Sequence, residues 1–254
     1  MSDTKRFIDM VLEHFPESRL TFQKALPTFH PESVDDAAGL FKLASEQDQK
    51  IYITGFGNTI DPDGEQFKEL FIVRTDRLNQ LVQVVPEDFY VVVRAGYPLQ
   101  ELNLNLEQHG LFLPHSDLPY VGSVGGAIAA GLTADYKGHD LPVSRYFIKA
   151  DIVMPDGEVI CPGSACFKSV SGFDIVKIFS PSWGQLGLIV NACLRVLPLS
   201  IADDYRNLKM HGLEYERFVD TFINPGDNVS AQYSLKIKSK FDPSGRLPLI
   251  DIFH

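Results

Sequence analysis

Two glycine-rich stretches carry the chemistry this sequence offers. The first, "TGFGNT" (Thr54 to Thr59), follows the β-branched run "KIYI". Its Gly55 and Gly57 let successive backbone N–H groups point into one concavity, which suits a phosphate oxygen. The second, "SVGGAIAAG" (Ser123 to Gly131), sets Gly125 and Gly126 at the head of a run of small apolar residues with helical character. The unpaired N–H groups of a first helical turn favour negative charge, and residues without side chains let a ligand come close. Each turn alone also reads as a structural turn or a helix–strand packing site. As a pair, one in each half of a domain, they can clamp a dinucleotide. "TGFGNT" lacks the lysine of a P-loop, and "SVGGAIAAG" lacks the spacing of GxGxxG after a strand, so neither a nucleoside triphosphatase nor a nicotinamide site is supported.

The elements that must position these turns alternate. "DDAAGLFKLASEQ" reads as an amphipathic helix leading to the strand "KIYITG". "ELFIVRT" and "DFYVVVRAG" are further strands. "PLQELNLNLEQHG" is a helix with Leu99, Leu102 and Leu106 on one face and Gly110 just past its end. "FIKADIVMPDGEVICPG" is a hairpin turning at Pro155-Asp156-Gly157. "LGLIVNACLRVLP" alternates Leu186, Leu188, Val190, Ala192, Leu194 and Val196, the period of a strand. A boundary is expected near "LPLSIADD".

At 254 residues, 44% hydrophobic and 22% charged, the composition is that of an ordinary globular protein of one large domain or two modest ones. The net charge of −10 leaves no basic surface for nucleic acid or an anionic membrane. The apolar runs stop well short of the ~20 residues of a membrane span, and "MSDTKRF" has no signal-peptide core, so a cytoplasmic location is expected. Cys161, Cys166 and Cys193 show no CxxC spacing, which fits a reducing compartment and argues against an iron–sulfur cluster or metal site.

An ordered series decides the ligand. "VVVRAGYPLQELNLNLEQHGLFLP", "SVGGAIAAGL", "PDGEVI", "KSVSGFDIVKI" and "SWGQLGLIVNACLRVLP" resemble, in order and spacing, the FAD-binding domain of the vanillyl-alcohol oxidase and p-cresol methylhydroxylase (PCMH) superfamily. Within that superfamily the chain is most similar to the glycolate oxidase FAD-binding subunit. Upstream, "TFHPESVDDAAGLFKLASEQDQKIYITGFGNT" looks like the family's first subdomain, and "KSKFDPSG" is similar to its closing element.

The resemblance implies an α+β fold of two α/β subdomains, about 22–85 and 86–200, making a cofactor domain over 1–200, with 201–254 as a shortened cap remnant and C-terminal segment. It implies FAD between the subdomains, with its pyrophosphate at Gly55, Phe56, Gly57, Asn58 and Thr59 and the clamp completed by Ser123, Gly125 and Gly126. Pro114, Ser116 and Asp117 are expected on the flavin side, and Gly184, Gly187 and the backbone of Ile189 on the adenosine or ribityl side. Lys168, Gly172 and Asp174 of "KSVSGFD" read as partly structural. His115 is the one histidine placed near the flavin, where it reads either as a proton acceptor or as a loop residue without catalytic duty. Phe56, Pro181 and Tyr146 depart from the family's usual glycine, glycine and aspartate. "TGFGNT" holds no histidine or cysteine, so FAD is expected to be non-covalent. The implied function is that of an FAD-dependent oxidoreductase subunit that oxidises a 2-hydroxy acid of the glycolate or lactate type, or relays its electrons. Only about 35 residues separate "RVLPLS" from "LKIKSKFDPSG", below the ~50 at which independent domains begin, so a partner subunit is expected over the flavin. Open alternatives are an assembly subunit that keeps the fold without FAD and a stand-alone flavin reductase.

Overall fold

The computed structural model describes residues 3–60, 62–165, 175–213, 219–224 and 226–250. Helix α1 (Asp3–His14) precedes a hairpin of β1 (Leu20–Gln23) and β2 (Leu26–Phe29). Helix α2 (Val34–Glu46) leads to β3 (Ile51–Thr54), and β4 (Phe71–Arg74) inserts between β2 and β3, parallel to both. The start of α2 is set by Ser33, whose Oγ accepts the Asp36 N–H at 3.0 Å and satisfies one of the first turn's free donors. Its Ala37, Leu40, Phe41 and Ala44 recur at helical spacing and pack with Phe7 of α1 and with Phe29, Ile51 and Phe71 of the sheet.

The second sheet has five antiparallel strands in the order β11 (Val159–Ile160), β10 (Phe147–Val153), β12 (Leu188–Arg195), β6 (Tyr90–Arg94) and β5 (Leu81–Val85). The hairpin at Pro155–Gly157 forms as expected, with Gly157 at φ 88°. Strand β5 pairs with β6, so the sheets divide between Arg74 and Leu81 rather than at 85. Between the sheets and β12, three short elements complete the second half: α3 (Leu102–Leu106), α4 (Val124–Ala130) and the hairpin of β8 (Thr133–Tyr136) with β9 (His139–Pro142). A two-residue strand, β7 (Leu111–Phe112), lies between α3 and α4 and pairs with β13 (Leu197–Pro198). The helix expected over 98–110 is composite. Its α-helical part is only α3, with 3₁₀ turns at Leu99–Glu101 and Glu107–His109, although Leu99, Leu102 and Leu106 share the buried face and Gly110 ends it at φ 70°.

The even alternation of "LGLIVNACLRV" does not put its apolar residues against one core. The pairing of β10 with β12 shifts register between Asp151↔Asn191 and Ile152↔Ile189, leaving Val190 as the extra residue of a bulge. Leu188 and Val190 join the core beneath α2, whereas Ala192, Leu194 and Val196 join the core beneath α4. One strand thereby serves both halves of the molecule.

The described residues after β13 close on the domain itself. Strand β14 (Lys209–Gly212) pairs with β8, and Phe222 is buried beside α5 (Val229–Phe241). Residues 214–218, within the 201–254 segment read above as a cap remnant, lie outside the described residues. Past α5, the chain returns to the first sheet: Arg246 O accepts the Ile51 N–H at 2.8 Å, Arg246 pairs with Asp48, and Leu247 enters the α2 core. Asp242 organises this strap. Its fully buried carboxylate pairs with Lys238 and accepts the N–H groups of Arg246 (2.8 Å) and Leu247 (2.9 Å). Burial pushes the Lys238 ammonium below its usual range, opposed by its bond to Asp242. Asp242→Ala, which strands a buried charge, is expected to cost about 3–5 kcal/mol of unfolding free energy in urea denaturation. A loss within the scatter of the measurement would show that the strap is held by other contacts.

Candidate functional site

A cleft opens between the two halves. One wall is the end of β3 and the loop from Gly55 to Thr59. The other is the loop from Tyr120 to Ser123 with the head of α4, and the floor is Ser182–Gly184 with Gly187–Ile189. The structure therefore brings together Gly55, Phe56, Gly57, Asn58, Thr59, Ser123, Gly125, Gly126, Gly184, Gly187 and Ile189, from four separate stretches of sequence. Asn58 Nδ2 donates to Val121 O at 2.7 Å and joins the two lips.

The adjacent glycines answer to different constraints. The Gly125 N–H donates to Ala95 O at 2.7 Å, and a β-carbon there would stand 2.6 Å from Ala95 Cβ, so this glycine exists for helix–strand contact. Gly126 faces the cleft. Its N–H is capped by Ser123 Oγ at 3.1 Å, and its added β-carbon would meet only the Tyr120 hydroxyl (3.0 Å) and Ser123 Oγ (3.2 Å). Gly55 lies against the same group, with its β-carbon position 3.1 Å from Ser123 Oγ.

No lysine, arginine, histidine, aspartate or glutamate lines the cleft among the described residues. The donors are backbone N–H groups, hydroxyls and an amide. Three aromatic lining residues, Tyr52, Tyr120 and Trp183, were not foreseen. Tyr120, on the loop before α4, keeps its proton because burial pushes the phenol up to about 12. Trp183, the chain's single tryptophan, sits at φ 50°, and its N–H and that of Ser182 both donate to Ala129 O at 2.8 and 3.0 Å. The signal that could have found it was a lone tryptophan before a glycine in "SPSWGQLG".

The cleft does not receive Pro114, His115, Ser116 or Asp117. They form a 3₁₀ turn whose polar groups are used internally. Ser116 Oγ donates to Leu99 O at 2.7 Å and accepts the Asn103 N–H at 3.1 Å, while Asp117 accepts from Asn103 Nδ2 at 2.8 Å. His115 is fully buried, bonds Leu141 O through Nε2 at 2.8 Å and lies edge-on to Tyr146, 5.3 Å between ring centroids. Burial pushes the imidazole down to about 4, so it is neutral at ordinary pH, and it has no route to a cleft ligand. Lys168, Gly172 and Asp174 lie outside the described residues, as does Cys166. Among those described, no group of histidines, cysteines and carboxylates is arranged to hold a metal ion, and no helix is long and apolar enough to cross a membrane.

A cleft between two α/β halves, walled by glycines and neutral donors, defines a dinucleotide-binding domain. The dinucleotide is FAD: residues 26–161, more than half of the chain, match the FAD binding domain family, and the chain belongs to it. It is 25% identical over 171 residues to a D-lactate dehydrogenase of Archaeoglobus fulgidus, covering 66% of this chain and 38% of that protein. It is 24% identical over 170 residues to glycolate oxidase subunit GlcD of Bacillus subtilis, covering 66% and 36%. The fold matches that of an alkyldihydroxyacetonephosphate synthase with a TM-score of 0.65 at 17% identity, over 76% of this chain and 40% of the other. The chain thus spans less than half the length of these relatives. Its residues fit the cofactor, since the cleft has a cradle that a side chain at 126 would fill and a lining of glycines and neutral polar groups.

Two outcomes follow. Gly126→Val is expected to abolish FAD retention with the far-ultraviolet circular dichroism unchanged, whereas Gly125→Ala, which crowds Ala95, is expected to cost about 1–3 kcal/mol of stability. Bound yellow colour in a folded Gly126→Val chain would remove the phosphate assignment. Because no charged side chain lines the cleft, FAD affinity measured by equilibrium titration is expected to vary less than about threefold between roughly 0.05 and 0.5 M salt.

Proposed function

We propose that this chain is the FAD-binding subunit of an oxidoreductase that acts on a 2-hydroxy acid of the glycolate or lactate type, or relays its electrons, and that a partner completes the catalytic site. FAD, when bound, accepts a hydride or passes electrons on. The residues of this chain bind and orient it: Gly55–Thr59 with Ser123 and Gly126 around the pyrophosphate, and Gly184, Gly187 and Ile189 toward the adenosine or ribityl side. With no histidine or cysteine among the described lining residues, nothing there supplies a covalent tether, and the cofactor is held reversibly. Residues 1–200 act as the cofactor domain and 201–254 as its closing segment.

One observation carries the partner requirement. A 2-hydroxy acid needs a cation for its carboxylate, a base for its hydroxyl and shelter from water. The described cleft lining offers no cationic side chain and no carboxylate or imidazole, and His115 is sealed away. The likeness to a D-lactate dehydrogenase and to a glycolate oxidase subunit supports the substrate class. The purified chain is expected to be yellow and to release its flavin into the supernatant on acid precipitation; flavin left on the polypeptide would contradict reversible binding. With a dye acceptor and a panel of 2-hydroxy acids, the FAD-loaded chain alone is expected to turn over far below the typical ~10 per second. A rate of that order would show that no partner is needed.

A further inference from the structure

Tyr120 lines the cleft beside the head of α4. Its ring is 8% exposed and folds over Gly122, where a β-carbon would stand 2.5 Å from the ring. Its hydroxyl reaches the head of α4, 3.0 Å from the β-carbon position of Gly126, on the wall of the cleft. No group among the described residues bonds its O–H, and the oxygen is not sealed from the cleft; Ser123 Oγ is already occupied as the cap of Gly126 N–H.

We propose that Tyr120 is a phosphate-positioning residue: its neutral phenol donates to a pyrophosphate oxygen of the bound dinucleotide. This rests on the FAD reading above and adds a residue to it. The chemistry suits the site, because a phenol that keeps its proton donates to an oxyanion without bringing a charge into a cleft that has none. The glycines explain the geometry. Gly122 leaves room for the ring, and Gly126 leaves room for the oxygen beneath it. Each would be blocked by a side chain, and neither position is needed for the contact between α4 and Ala95, which Gly125 makes.

The test compares the wild-type chain with Tyr120→Phe, which keeps the ring over Gly122. Binding of FAD, ADP and adenosine to the cofactor-free proteins is followed by the fluorescence of Trp183, the only tryptophan and a cleft residue. A hydrogen bond to a charged acceptor corresponds to a loss of about ten- to a hundredfold in affinity. FAD and ADP are expected to weaken by that same factor in Tyr120→Phe, adenosine to bind unchanged, and the melting temperature of the cofactor-free protein to stay where it is. Unchanged FAD affinity in Tyr120→Phe would overturn the proposal. So would a loss shared by adenosine, which would place the hydroxyl at the nucleoside, or a lowered melting temperature, which would assign it to the fold. Failure of the wild-type chain to bind FAD or ADP at all would instead overturn the FAD reading, and the role of Tyr120 with it.

Discussion

Ala95, the residue just past β6, is the contact on which the cleft depends. Its N–H donates to the carbonyl of Val190, the bulged residue of β12, at 2.9 Å, and its own carbonyl takes the Gly125 N–H at 2.7 Å. One residue therefore joins a central strand, its neighbour and the head of α4. The helix approaches so closely that Gly125 cannot carry a β-carbon, and Val124 N–H bonding Tyr97 O at 2.9 Å fixes its rotation. Ser123, Gly126 and the Tyr120 ring over Gly122 take their places from that contact. The floor is built likewise: Gly184, at φ 74°, lies against Ile53 of β3, and Gly187 leaves no room for a side chain beside Val153 O.

A chain of net charge −10 has two routes to a dianionic ligand, local cations or oriented dipoles. The cleft takes the second, and the rest of the molecule suggests why. Cations elsewhere pair with the chain's own carboxylates, Arg19 with Glu32 and Asp36, Arg246 with Asp48 and Lys238 with Asp242. Fixed N–H and O–H groups are not neutralised in this way, and screening by salt leaves them nearly untouched. Neutral walls also leave the cleft lining without a charged group among the described residues.

Much of this was legible in the sequence because it rests on local rules. The glycine turns, the strand before "TGFGNT", the 3.6-residue period of α2 and the Pro-Asp-Gly hairpin each follow from a few neighbouring residues. The misreadings come from tertiary context. Alternation from Leu186 to Val196 predicts one buried face, and only the bulge at Val190 reveals two cores. The family resemblance put Pro114, Ser116 and Asp117 of "LPHSD" on the flavin side. Asn103, eleven residues before Pro114, bonds Leu113 N–H and Asp117, and with Ser116 bound to Leu99 O it turns that loop inward. Tyr120 and Trp183 carried no periodic signal at all, and the glycines that admit Tyr120 are explained only once its ring is seen over them.

The closing strap joins the two halves. After leaving the second sheet at β12 and β13, the chain adds β14 to β8 and then sends α5 across to the first sheet, where Arg246 and Leu247 dock on β3 and the α2 core. Phe241 packs against Phe179 of the second core at one end of this segment, and Leu247 enters the first core at the other. Both halves are thereby tied together by this segment as well as through Val190 and Ala95. Donors fixed by folding need no ordering when the ligand arrives, so the entropy cost that a hinged, half-covered site would incur on binding falls instead on the folding of the chain.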